Sequence, residues 1–387
     1  MGDADAMTPF RVDVPEEVLT DLRERLRRTR WPDQIPGTEW VYGTDVATLQ
    51  DLCAYWADGF DWRAAEAELN RWPQFETDVD GLHVHFVHAR SPHPDAFPLV
   101  ITHGWPGSVS EFLKILGPLT DPPAHGGDGA DAFHVVAPSM PGYGFSGPTP
   151  RPGVDIRAVA VVNAGLMARL GYRRYGAQGG DWGSAASAQV ALLDPDHVVG
   201  IHLNLVTAGP PDRDNPTAGV EPGELAGLAD LETFRREETG YQRIQGSRPQ
   251  TLAYGLTDSP AGLAGWILEK FRRWSDCDGD VYSRFTRDEL LTNITIYWVT
   301  GTINSSTRLY YETMHSGRFF GAGQARVDVP TGAAVFPKEL FRPPRVWAEA
   351  AYNIQQWTMM PSGGHFAAME EPELLVDDIR SFFRRVR

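Results

Sequence analysis

The hydrophobic pattern changes character several times along the 387 residues. The first stretch keeps helical spacing. Pro15-Glu16-Glu17 opens a helix with Leu19, Leu22 and Leu26 on one face, and proline followed by acids suits a first turn. A second helix starts near Asp45 and gathers Leu49, Leu52, Cys53 and Trp56. A third runs from Asp61 to Trp72, and this whole segment is expected to wrap the main domain. The spacing then becomes that of strands. Residues 75–79 and 82–88 flank Asp80-Gly81, a strong hairpin signal. Beyond it, apolar runs alternate with helical stretches. Phe97 to Thr102, Phe133 to Ala137, Tyr175 to Gln178 and Ile201 to Leu205 read as strands. Asp155 to Leu170 reads as a capped helix ended by Gly171, and another helix starts at Ser184. Alternation of this kind predicts an α/β fold with a mostly parallel central sheet.

Regularity ends after residue 205. From about 208 to 320 the chain is helical and loop-rich, with Tyr241, Trp266, Phe271, Trp274, Phe285, Tyr297, Trp298, Tyr310 and Tyr311, and reads as an inserted cap. The α/β pattern resumes at Ala333 to Phe336 and Trp357 to Met360. A last amphipathic helix carries Leu375, Ile379, Phe382 and Phe383. The expected organisation is an N-terminal helical extension over 1–74, a core over 75–207 and 321–387, and a helical cap over 208–320. The chain shows neither an internal repeat nor a low-complexity tract.

Composition narrows the function classes. Hydrophobic residues at 42% and charged residues at 22% are ordinary for a globular chain. A formal charge of −16 gives no attraction to nucleic acid or anionic lipid. The basic run from Arg23 to Arg28 reads as the exposed face and last turn of a helix. Arginines outnumber lysines 32 to 3, which points to a GC-rich genome rather than to a function. Cys53 and Cys277 could form one disulfide, but two cysteines make no disulfide framework. The acidic start Met1-Gly2-Asp3-Ala4-Asp5-Ala6 lacks the regions of a signal peptide, and no run reaches the ~20 apolar residues of a membrane span. The expected location is cytoplasmic.

The sharpest chemical signal is Gly179-Gly180-Asp181-Trp182-Gly183, after a strand and before a helix. The nucleophile elbow of α/β-hydrolases has the form G-x-S-x-G in this context, and small flanking residues let strand and helix approach. The bland alternative is a surface Gly-Gly-Asp turn. Here the nucleophile position holds aspartate, a carboxylate already ionised near neutral pH and favoured by a helix N-terminus. Carboxylates form covalent intermediates at saturated carbons. The target is therefore an electrophilic sp3 carbon, as in an epoxide or an alkyl halide.

His103-Gly104-Trp105-Pro106-Gly107-Ser108 follows the strand ending at Thr102. Such a turn supplies one oxyanion-hole amide, and the residue after the nucleophile supplies the other. The backbone N–H groups of Trp105 and Trp182 are the candidates, since Pro106 has none to give. His103 reads as a brace for the turn. Of the eleven histidines, His365 in Ser362-Gly363-Gly364-His365-Phe366 is best placed as base, because the order nucleophile, acid, histidine is that of α/β-hydrolases. The acid is expected after the strand at Ala333 to Phe336, where Glu339 fits; Asp212, Asp214 and Glu349 remain rivals. His83 and His85 share a strand face with His88 nearby, but no carboxylate or cysteine set completes a metal site. No metal or cofactor is expected.

With these residues assembled, the chain resembles the microsomal-type epoxide hydrolases, which include the juvenile hormone epoxide hydrolases. The resemblance spans nearly the whole chain. It rests on Trp40-Val41-Tyr42-Gly43 and Phe60-Asp61-Trp62-Arg63, on His103-Gly104-Trp105-Pro106, and on Pro138 to Ser146. It rests equally on Gly180-Asp181-Trp182-Gly183, on Phe336-Pro337-Lys338-Glu339-Leu340 and on Gly363 to Ala368. The resemblance implies an α/β-hydrolase fold with a helical cap and an N-terminal extension, hydrolysis of an epoxide to a vicinal diol, and a triad of Asp181, Glu339 and His365. It also implies two cap tyrosines on the epoxide oxygen, matched by Tyr241 and Tyr310; read alone, both would be core aromatics, and Tyr311 is an adjacent rival. Two departures stand out. The membrane-anchoring helix of the animal enzymes is absent, and the acid-to-histidine stretch is one residue shorter than the family pattern. The chain is also similar to soluble actinomycete members from natural-product pathways, such as those making enediyne antibiotics.

The expected partners are a small epoxide and water, with no nucleic acid and no membrane; a homodimer is left open. The aromatic cap favours an apolar, aryl-bearing substrate. Two other functions remain open at this stage. A haloalkane dehalogenase shares the aspartate–tryptophan elbow but needs halide-binding N–H donors in place of cap tyrosines. A catalytically silent relative that only binds an apolar ligand would usually have lost a triad member.

Overall fold

The computed structural model describes residues 7–317 and 325–387. The acidic start of the chain and the expected cap–core boundary at 320/321 lie outside those residues. The chain opens with strand β1 (Thr8–Phe10) and helices α1 (Glu16–Arg27), α2 (Val46–Asp58) and α3 (Trp62–Leu69). The hairpin β2 (Gln74–Val79) and β3 (Leu82–Ala89) follows. Then come β4 (Phe97–Thr102), α4 (Leu113–Thr120), β5 (Phe133–Pro138), α5 (Ile156–Arg169), β6 (Tyr175–Gly179), α6 (Asp181–Leu193) and β7 (Val198–Leu203). Helices α7 (Leu225–Glu237), α8 (Gly240–Ser247), α9 (Pro249–Asp258), α10 (Pro260–Trp274), α11 (Arg287–Thr300) and α12 (Ile303–His315) precede β8 (Val327–Val335). The chain closes with α13 (Arg345–Ala351), β9 (Tyr352–Met359), α14 (Ala367–Glu370) and α15 (Pro372–Val386).

The strands form one sheet in the order β1-β2-β3-β5-β4-β6-β7-β8-β9. The first three strands and the β3–β5 pair run antiparallel; everything from β5 to β9 is parallel. The mostly parallel α/β sheet is as expected. At the hairpin, Asp80 and Gly81 both take positive φ (52° and 70°), as a two-residue turn matched to strand twist requires. One apolar layer, with Leu116, Phe133, Ile379 and Phe383, lies under α4 and α15. A second, with Val100, Ala188, Ile201 and Ala348, lies under α5, α6 and α13.

The structure departs from the expectation in one place: strand β1 adds to the edge of β2 within the segment read as purely helical. Helices α1 and α2 pack on later helices as well as on the core. Leu22, Leu26, Leu52 and Trp56 share one apolar cluster with Leu263, Ile267, Leu290 and Ile294 of α10 and α11. Polar ties fix the same contact: Trp56 Nε1 donates to Thr295 Oγ1 at 2.9 Å, and Thr44 Oγ1 to the Gly265 carbonyl at 2.7 Å.

Candidate active site

Strand β6 delivers the chain to its turn with all five residues buried. Asp181 then sits at φ 48°, a left-handed conformation that costs a non-glycine residue about 1–3 kcal/mol and persists where the surroundings enforce it. The enforcement is steric. A Cβ on Gly183 would lie 1.8 Å from the Thr102 carbonyl, and one on Gly104 would lie 2.3 Å from Asp181 Cβ. Only glycine lets α6 start that close to β4 and its following loop. Asp181 is the first residue of α6, so its carboxylate meets the positive end of the helix.

The backbone N–H of Trp105 donates to Asp181 Oδ1 at 2.8 Å. Trp182 is the second residue of α6, in the turn where amides point out along the helix axis. His103 holds the Trp105 loop: its ring nitrogens meet the Gly104 carbonyl at 3.0 Å and the Met140 amide at 3.2 Å. Burial pulls its pKa down to about 4, so it is a neutral brace.

On the other side, His365 places Nε2 3.5 Å from Asp181 Oδ2 and Nδ1 2.7 Å from Glu339 Oε1. Burial alone would lower the His365 pKa. Glu339 and Asp181 outweigh it and hold the imidazole well above its ordinary value. The rival acids lie elsewhere. Asp212 is exposed and accepts the amides of Asp214 and Asn215, and Glu349 pairs with Arg345 on α13. The loop bearing His365 is tied to the end of α10: the His365 amide donates to the Trp274 carbonyl at 2.9 Å, and Gly363 to Asp276 Oδ2 at 3.0 Å. Buried Glu370 completes the tie, accepting the amides of Asp276 and Phe366 at 2.7 and 2.9 Å. Sequence reading missed Glu370; its only signal was an acid five residues after the histidine.

Tyr241 and Tyr310 come together above Asp181, their ring centroids 5.9 Å apart. Tyr241 stacks on Trp105 at 5.3 Å, and Tyr310 stands edge-on to Trp182 at 4.8 Å. Burial first pushes both phenols well above their ordinary pKa; the Asp181 charge comes next for Tyr241, and for Tyr310 it follows the charge of Tyr241. Both phenols are therefore neutral. Tyr311 points away and stacks on His315 at 4.0 Å; adjacent helical residues are turned about 100° from one another.

Residues 7–112 match the family model described as "Epoxide hydrolase N terminus", and residues 98–259 match "alpha/beta hydrolase fold". A putative epoxide hydrolase of Stigmatella aurantiaca (strain DW4/3-1) is 47% identical over 98% of this chain and 86% of its own length. The chain belongs to the epoxide hydrolase family. Epoxide hydrolase 1 of Sus scrofa is 40% identical over 98% of this chain and 88% of that protein. The juvenile hormone epoxide hydrolase structure from the silkworm Bombyx mori superposes with a TM-score of 0.90 at 33% identity, over 99% of this chain and 95% of that one. The Aspergillus niger epoxide hydrolase structure gives 0.87 at 31%, over 99% and 97%. The chain is thus a hydrolase acting on ether bonds, on the α/β-hydrolase fold.

In this epoxide hydrolase, Asp181 and Tyr241 border a pocket of about 640 Å³. Its aromatic walls are not the ones the sequence suggested. Of the nine aromatics noted between 208 and 320, only Tyr241 lines it; Phe271, Trp274, Phe285 and Tyr297 are packed into the apolar cluster beneath. Phe234, Phe341, Trp347 and Tyr352 line it instead. Both cysteines are buried and free. The ring nitrogens of His85 are taken by Ser139 and Gln74. Among the described residues no group of His, Cys, Asp or Glu is arranged to hold a metal ion, and no helix is long and apolar enough to cross a membrane.

Proposed function

We propose that this chain converts an apolar, aryl-bearing epoxide to a vicinal diol through an ester on Asp181 that His365-activated water hydrolyses. The observation that carries the reading is the convergence on Asp181: Trp105 N–H on one oxygen, His365 beside the other, Glu339 behind His365, and two buried phenols above. Phe234, Phe341 and Trp347 along the pocket favour an aryl group. The division into an extension, a core and a cap over 208–320 belongs to the same reading, with Tyr241 and Tyr310 supplied by the cap.

Asp181 attacks one epoxide carbon and the carbon–oxygen bond breaks. Tyr241 and Tyr310 hold the alkoxide, and one of them gives it a proton. Esterification removes the Asp181 charge, one of the groups holding the His365 pKa up, and so frees the imidazole to act as base. His365 takes a proton from water, oriented by Glu339, and hydroxide adds to the Asp181 carbonyl carbon. The amides of Trp105 and Trp182 hold the oxyanion; losing one such donor costs roughly 2.7–4 kcal/mol. The ester oxygen leaves with the proton on His365, and the remaining proton on the Asp181 carboxyl restores the tyrosine.

The test is racemic styrene oxide with wild type, Asp181→Ala and His365→Ala. Wild type yields diol, Asp181→Ala none, and His365→Ala gains the substrate mass on the elbow peptide. Normal turnover by His365→Ala would sink the assignment of the base. Halide release from a haloalkane, without diol, would favour the dehalogenase reading, which has no use for two phenols over the nucleophile.

A further inference from the structure

The substrate pocket is not the only space that reaches Asp181. Behind the nucleophile lies a cavity of about 20 Å³, bordered by Asp181, His365, Gln178, Asn204 and Glu111. A volume of roughly 10–15 Å³ or more suffices for one water molecule, which needs polar partners, and these walls supply them. Glu111 also borders a second, outer pocket of about 370 Å³ between α3 and the start of α11. Most of its lining surface is apolar, but Asp61, Glu68, Lys114, Asp288 and Glu289 give an entering water charged groups to meet there. Glu111 thus stands between bulk solvent and the catalytic carboxylate.

Its position is built in. Glu111 lies in the loop that carries Trp105, and its carboxyl folds back over Gly107; a Cβ on Gly107 would lie 1.2 Å from Glu111 Oε1. Burial pushes the Glu111 carboxyl up to about 8, with His365 pulling it down and Asp181 raising it further. The group is therefore a neutral acid near pH 7, whose carbonyl oxygen accepts hydrogen bonds.

We propose that Glu111 is the positioning residue for the hydrolytic water, and that this water enters through the outer pocket, at a different face from the substrate. The proposal rests on the ester mechanism above. At the moment water is needed, the esterified substrate stands on Asp181 in the 640 Å³ pocket, so a second route brings water to the carbonyl carbon without passing it. The Glu111 carbonyl oxygen accepts one O–H of the water. The other O–H points at His365 Nε2, which takes that proton as the water oxygen bonds to the Asp181 carbonyl carbon. Glu111 neither gains nor loses a proton.

The test separates the two half-reactions by rapid quench and peptide mass on Glu111→Gln, Glu111→Met and Ala64→Trp. Glutamine keeps the accepting carbonyl, so hydrolysis stays within about threefold of wild type; methionine keeps the volume without the acceptor, so hydrolysis slows about 30-fold and ester accumulates. Alkylation is unchanged in both. Ala64 lines the outer pocket on α3, away from the chemistry, and tryptophan there slows hydrolysis alone. Methionine hydrolysing as fast as wild type, glutamine as slow as methionine, or alkylation falling in step with hydrolysis overturns the positioning role. Unchanged hydrolysis in Ala64→Trp overturns the route. An alkylated elbow peptide absent from every sample, including His365→Ala, brings down the ester mechanism itself and this proposal with it.

Discussion

Replacing Glu339 with glutamine isolates the role of one charge. Glu339 and His365 are almost wholly enclosed, with side chains 2% and 3% exposed, and meet at 2.7 Å. Glutamine can still accept from Nδ1–H, so the ring keeps its orientation but loses a buried counter-charge. Hydrogen bonds to charged groups are worth about 1.5–3 kcal/mol net, and an uncompensated buried charge costs about 3–5 kcal/mol. Part of the bond survives here, so roughly 2–3 kcal/mol is lost where the imidazolium forms, or roughly 30- to 150-fold in rate. That loss falls on hydrolysis of the ester. Attack by Asp181 needs no base, so alkylation stays within about threefold. Rapid mixing with styrene oxide, acid quench and mass analysis of the peptide carrying Asp181 read both steps. The variant shows fast mass gain and slow decay. Slow turnover without accumulated ester would refute the reasoning, since the charge would then act before the ester forms; so would unchanged turnover.

Other outcomes follow from the same geometry. Tyr241→Phe and Tyr310→Phe each slow alkylation by about 10²–10³-fold, while Tyr311→Phe stays within about twofold, measured as single-turnover epoxide loss. Gly183→Ala forces a Cβ to 1.8 Å from the Thr102 carbonyl and lowers the melting temperature by many degrees, if it folds at all; an unchanged melting curve would contradict the close approach. His365 binds its proton more tightly folded than unfolded, so its contribution to stability is complete below about pH 6.5 and fades as pH rises through the raised folded value. Asp181→Asn removes one raising partner, so melts from about pH 6 to about pH 10 show that fade starting at the same pH as in wild type but ending at a lower pH and with a smaller total loss.

What could be read from sequence was what depends on local chemistry. The Asp80-Gly81 turn, the Asp155 cap and the Gly-flanked Asp181 announce themselves within a few residues. The starts of β7, β8 and β9 came out several residues late. In β8, Pro330 and Gly332 look like turn formers, and pairing with the parallel neighbours β7 and β9 makes them strand. Strand β1 has three residues and no pattern of its own; β2 imposes it. The cap aromatics looked like pocket walls because composition does not say which face of a helix is buried. The sequence left Tyr311 as a rival to Tyr310, yet one helical step decides which of them meets Tyr241. Glu111 and Glu370 carried no motif, since their meaning lies in groups brought close by the fold.

The three bonds that join the end of α10 to the loop of His365 also say how the molecule can open. The histidine hangs from the Trp274 carbonyl, and Asp276 and Glu370 lock the same seam from either side. Swinging α10 outward as a lid would carry the base away from Asp181. The large pocket is lined by Thr207 to Pro211, Phe234 and Gln242 and by none of the residues of that seam, so passage through it can leave the seam intact. On the proposed mechanism, opening along α10 would part His365 from Asp181 and Glu339 at every turnover, whereas opening beside Thr207 leaves the three together.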